Sequence, residues 1–67
     1  MLSARNQFKG VIKSVKLGGV MAEVVVAVGE LEFVSAITRS SAESLGLKVG
    51  DEVKAVVKST EVLIDKP

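Results

Sequence analysis

The stretch Leu31-Glu32-Phe33-Val34-Ser35-Ala36-Ile37-Thr38-Arg39-Ser40-Ser41-Ala42-Glu43-Ser44-Leu45-Gly46-Leu47 changes period partway along, and that change decides the fold. From Leu31 to Ile37 the side chains alternate in character every second position, as a strand with one wet face requires. From Thr38 to Gly46 the pattern is that of a single short helix. Ser40 or Ser41 serves as its N-cap, Glu43 or Ser44 falls in the first turn, and Gly46 supplies the left-handed residue that ends it. Leu45 and Leu47 are placed to pin this helix to a core.

Upstream, Gly29-Glu30 is a tight turn, and Val20 to Val28 is apolar except for Glu23. Such a run reads as a strand buried on both faces, and in so short a chain two-sided burial points to subunit contact. Strands two and three then form an antiparallel hairpin. Gly18-Gly19 punctuates the chain before them, and the Val/Ile-rich alternation from Gln7 to Leu17 predicts a first strand. Downstream, Val49-Gly50-Asp51 is a turn, and Val53, Ala55 and Val57 alternate with Glu52, Lys54 and Lys58 as a fourth strand. Ser59-Thr60 breaks it, Glu61 to Ile64 predicts a fifth strand, and Asp65-Lys66-Pro67 is a polar end. Five strands with one helix between the third and fourth is the element order of an all-β, OB-fold-like small barrel.

Composition narrows the function. The chain has 67 residues, room for a single domain covering 1–67, and a domain of that size buries only about 60% of its unfolded surface, so oligomerisation is the expected source of added stability. The sequence contains neither Cys nor His, which removes disulfides, thiolate and imidazole metal sites, and Cys-His or Ser-His catalysis. A net charge of +1 and only two aromatic residues, Phe8 and Phe33, argue against a nucleic-acid partner. The longest uncharged apolar run, Val24 to Val28, cannot cross a bilayer and the N-terminus has no signal-peptide core, so neither a membrane partner nor export is expected and a cytoplasmic location is.

The polar residues that remain fall into three clusters. Ser3-Ala4-Arg5-Asn6-Gln7 either is a solvated leader or faces a ligand; Ser3 and Arg5, two apart on an extended chain, share one face. Lys58-Ser59-Thr60 either is an ordinary turn or adds a cation, hydroxyls and free amides. Thr38-Arg39-Ser40-Ser41 either caps a helix only or offers hydroxyls at a helix start, where anions are favoured. The paired glycines Gly18-Gly19 before Val20 either make a turn or let backbone amides approach a ligand or a neighbouring subunit. The clusters hold donors and no carboxylate, the chemistry of a compact oxyanion site and not of a cation site. With no base or nucleophile-activating partner among them, no enzyme activity is expected. Glu30, Glu32, Asp51 and Glu52 flank turns as solubilising charges.

Taken together, the Ser3 to Gln7 opening, the Ala36 to Leu47 segment and the Val57-Lys58-Ser59-Thr60-Glu61-Val62 close resemble the molbindins, the small molybdenum-pterin-binding or Mop proteins, and are similar to clostridial members over nearly the whole chain. The resemblance implies an OB-type barrel assembled as a homohexamer, a trimer of dimers, that holds molybdate or tungstate at subunit interfaces for storage, buffering or homeostasis. It implies anion contacts from Ser3, Arg5, Lys58, the Ser59 amide, Thr38 and Ser41, and a second type of site at Gly19 and Val20. A pterin would want aromatic stacking or acidic recognition of its ring, which this sequence does not offer, so the free oxyanion is the expected ligand. A ligand-free assembly module and a nucleic-acid-binding OB-type domain are the alternatives.

Overall fold

A computed structural model describes residues 5–67; Ser3, the first of the expected anion contacts, lies outside the described residues. The elements are β1 (Asn6–Leu17), β2 (Met21–Val28), β3 (Leu31–Thr38), α1 (Arg39–Leu45), β4 (Glu52–Val57) and a 3-10 turn, η1 (Ser59–Glu61). They make one antiparallel sheet in the order β3-β2-β1-β4.

β1 is the shared member. One half of it, Asn6 to Val11, pairs with β4, and the other, Val11 to Leu17, pairs with β2. Between Ile12 and Ser14 the register with β2 shifts by one, so Lys13 is an extra residue. A bulge of this kind bends a strand and raises its twist, which lets one strand serve two ladders on a curling sheet. Lys13 then reaches across β2 to form an ion pair with Glu32 on β3.

The core lies on the concave face. Ile12, Val24 and Val26 are buried at its centre, with Ile12 only 1% exposed, and Phe33, Ile37, Leu47, Val53 and Ala55 pack around them. Phe8 of β1 stacks on Phe33 of β3 with ring centroids 5.1 Å apart, joining an inner strand to an outer one on the concave side. Helix α1 lies against β2 and β3 and contributes the buried Ala42. Gly46 ends it with φ 61°, a left-handed value that glycine adopts without steric cost.

Two expectations from the sequence need correction. The apolar run of β2 is buried on one face only: Ala22, Val24 and Val26 point inward, while Met21 and Glu23 are exposed and Val25 and Ala27 are half-buried. The sheet has four strands among the described residues, because Glu61 closes η1, Val62 N–H turns back to the Ser59 carbonyl, and Val62 to Ile64 join no described ladder, leaving Leu63 91% and Ile64 89% exposed. β propensity alone does not make a strand when no neighbouring edge takes up its backbone groups. The seam between β3 and β4 consequently stays open as an apolar groove of about 650 Å³, with Lys58 and Glu61 among its lining residues.

Candidate functional site

The structure sorts the predicted donors into two groups at opposite ends of β1. At one end the last ladder pair is Asn6 with Val57; Arg5 and Lys58 are the next residues on the two chains, where the backbone bends and Gln7 N–H donates to the Arg5 carbonyl at 3.1 Å. Both are exposed, and neither forms an ion pair among the described residues. Directly after Lys58 the chain turns into η1, where Glu61 N–H donates to the Lys58 carbonyl at 2.9 Å. No side chain caps this turn. Its first amides, beginning with that of Ser59, therefore have no partner within the turn itself.

At the other end Thr38, the last residue of β3, pairs with Met21 beside the Gly18-Gly19 turn. Thr38, extended at φ −69° and ψ 148°, is the N-cap of α1. This corrects the assignment to Ser40 or Ser41. Three hydroxyl residues in succession could each cap by type, but only the residue before the first helical one has the extended backbone that brings its oxygen onto the helix amides. Thr38 Oγ1 accepts from the Ser41 amide at 3.1 Å and donates to Ser41 Oγ at 2.7 Å. The Ser41 hydroxyl proton is thus the one left over for a ligand. Thr38→Ala should lower stability by about 1 kcal/mol, while Thr38→Ser keeps most of it; thermal unfolding of the two variants makes the comparison.

Arg39 has a structural part that its sequence position does not announce. Its amide donates to the Val20 carbonyl at 2.7 Å and its guanidinium to the Gly18 carbonyl at 3.0 Å, while Nε lies 3.7 Å from Glu43 Oε1. The carbonyls on both sides of Gly19 are held by this one residue. Gly18 N–H donates to the Met21 carbonyl at 2.7 Å, so the turn is fixed from within and from α1 together. Space around Gly19 is open, with no atom within 4 Å of where a Cβ would stand. No local pattern could have marked Arg39, because its acceptors are about twenty residues away in sequence.

The first donor group is cationic, the second neutral, and no described hydrogen bond or ion pair joins them. Among the described residues there is no group of three or more acidic, His or Cys side chains that could hold a metal ion. No described helix is long and apolar enough to cross a membrane.

This fold, with donor clusters at both ends of its shared strand, is that of a small binding module. The TOBE domain family matches residues 2–64. The chain is 50% identical to molybdenum-pterin-binding protein 2 of Clostridium pasteurianum over 94% of each chain. It superimposes on a molybdate binding protein from Sporomusa ovata with a TM-score of 0.93, at 39% identity and 98% coverage of both chains. It also matches ModG, described as a cytoplasmic molybdate-binding protein and solved with molybdate bound, with a TM-score of 0.82 and 40% identity over 88% of this chain and 43% of that one. The chain belongs to the TOBE-domain family and, within it, to the molbindin or Mop group.

Proposed function

We propose that this protein binds molybdate as the free oxyanion in the cytoplasm, without catalysing a reaction, and that the anion sites are completed between copies of the chain in a homohexamer built as a trimer of dimers. The observation that carries this reading is the placement of Arg5 and Lys58. Two exposed cations at the open end of a ladder, neither in an ion pair among the described residues, supply the charge that a dianion needs. Ser3, Arg5, Lys58 and the Ser59 amide form the cationic half of the site. Thr38 and Ser41, at the far end of β1, supply hydroxyls from a second copy, because nothing joins them to Arg5 within one chain. Gly19 and Val20 form a second kind of site through backbone amides, on a turn braced by Arg39.

The exposed Leu63 and Ile64 and the open groove support assembly, since a chain this small gains from covering them. Tungstate, with the same shape and charge, takes the same donors. Selectivity over sulfate rests on cavity size, because both dianions are tetrahedral. The names of the relatives, molybdenum-pterin-binding and molybdate-binding, agree with this reading.

Titration calorimetry with molybdate, with sulfate as competitor, combined with sedimentation of the free and loaded protein, tests the reading. Saturable molybdate uptake by an oligomer is expected. A monomer that takes up no molybdate overturns it.

A further inference from the structure

The ladder between β1 and β4 places Lys9 and Lys54 on one face and leads to Arg5 and Lys58 just past its end. Along β1, Phe8, Gly10 and Ile12 point to the concave side, so Gln7, Lys9 and Val11 lie on the convex side. Along β4, Val53, Ala55 and Val57 are the half-buried alternate, so Glu52, Lys54 and Val56 lie outward. The register pairs Lys9 directly with Lys54, and Arg5 and Lys58 follow its last pair, Asn6 with Val57. Like charges directly opposite on a sheet oppose pairing, yet none of these four forms an ion pair among the described residues. The acidic residue of the strip, Glu52, sits at its far end opposite Val11.

We infer that Lys9 and Lys54 form a collecting rung that draws a small tetrahedral dianion along the convex face toward Arg5 and Lys58, acting through space and not by contact. The inference rests on the proposed oxyanion site. Four residues of strand separate the two rungs, about 13 Å. At that range Lys9 and Lys54 cannot touch an ion held by Arg5 and Lys58, but their field reaches it when salt is low. Gln7 and Val56 lie between the rungs, so neither β1 nor β4 places a carboxylate between them. A strip with only two cationic rungs, closed by a carboxylate, fits a compact anion and is too short for a polyanion.

Screening provides the test. The Debye length is about 20 Å in 20 mM NaCl and about 4 Å in 500 mM, on either side of the rung separation. Molybdate affinity of the wild-type protein and of the double variant Lys9→Gln/Lys54→Gln is measured by titration calorimetry at both salts, with thermal unfolding of each. In 20 mM NaCl the variant should bind between about threefold and tenfold more weakly; in 500 mM the two should agree within about twofold. Its unfolding temperature without ligand should be unchanged or higher, because a repulsive pair has been removed. Equal affinity at low salt overturns the inference, and so does an equal loss at both salts, which is the mark of direct contact. Should the double variant fail to fold, Lys54→Gln alone carries the same test with a smaller low-salt loss. Wild-type protein that ignores molybdate at both salts overturns the oxyanion reading itself and the inference with it.

Discussion

Gly10→Ala should destabilise the protein by about 3 kcal/mol, lowering its unfolding temperature by about 15 °C. Gly10 lies where β1 passes from one ladder to the other, and a Cβ there would stand 2.5 Å from the Ala27 carbonyl oxygen and 2.8 Å from methyl carbons of both Val26 and Val28. The first of these is backbone, held in the β1–β2 ladder through the pairing of Ala27 with Val11. It cannot move without loosening the sheet beside the buried Val26. Gly19→Ala is the matched control, because its Cβ meets nothing, and it should change stability by less than about 0.5 kcal/mol. Thermal or denaturant unfolding compares the two; equal stability of both variants would mean that β1 and β2 do not approach as described.

Arg5→Ala should weaken molybdate binding by about 2 kcal/mol or more, a loss of roughly thirtyfold that titration calorimetry reads directly. The proposed site balances a dianion against two cations, so removing one leaves charge uncompensated and removes a fork of donors suited to paired oxygens. Arg5→Lys restores the charge without the fork and should fall between the two. Unlike the loss expected from the Lys9 and Lys54 rung, this one should persist at high salt, since a contact inside a site is screened far less than a field acting through solvent. If Arg5→Ala binds as tightly as the wild type, Arg5 is not an anion contact.

Local patterns made most of the fold readable. The boundaries of β1 and β3 fall within a residue of those expected from alternation, β2 begins one residue later at Met21, and α1 and its glycine stop are where the change of period places them. Those features depend on neighbours in sequence. The errors share the opposite property. Val62 to Ile64 has strand composition, but a strand exists only with a partner edge, and that is decided by residues far away in the chain. Thr38, and not Ser40 or Ser41, caps α1 because β3 runs extended to that residue, which residue type alone does not show.

The donors of the candidate site were legible by chemistry, and their distribution was not. Only the pairings Asn6 with Val57 and Met21 with Thr38 reveal that Arg5 and Lys58 follow one end of the β1–β4 ladder while Thr38 and Ser41 lie at the other end of β1. Arg39 was invisible for the same reason, since its acceptors on the Gly18 to Val20 turn are brought to it by the pairing of β2 with β3.

β4 forms the border of the sheet and hydrogen-bonds as a strand to β1 alone. It is one of the two border strands, and Lys58 directly follows its last residue. In the proposed site, an ion held between Arg5 and Lys58 would clasp this border at its end. Loading and tightening are then a single event, and amides of β4 should report a filled site by slower hydrogen exchange before those of β2 or β3 do.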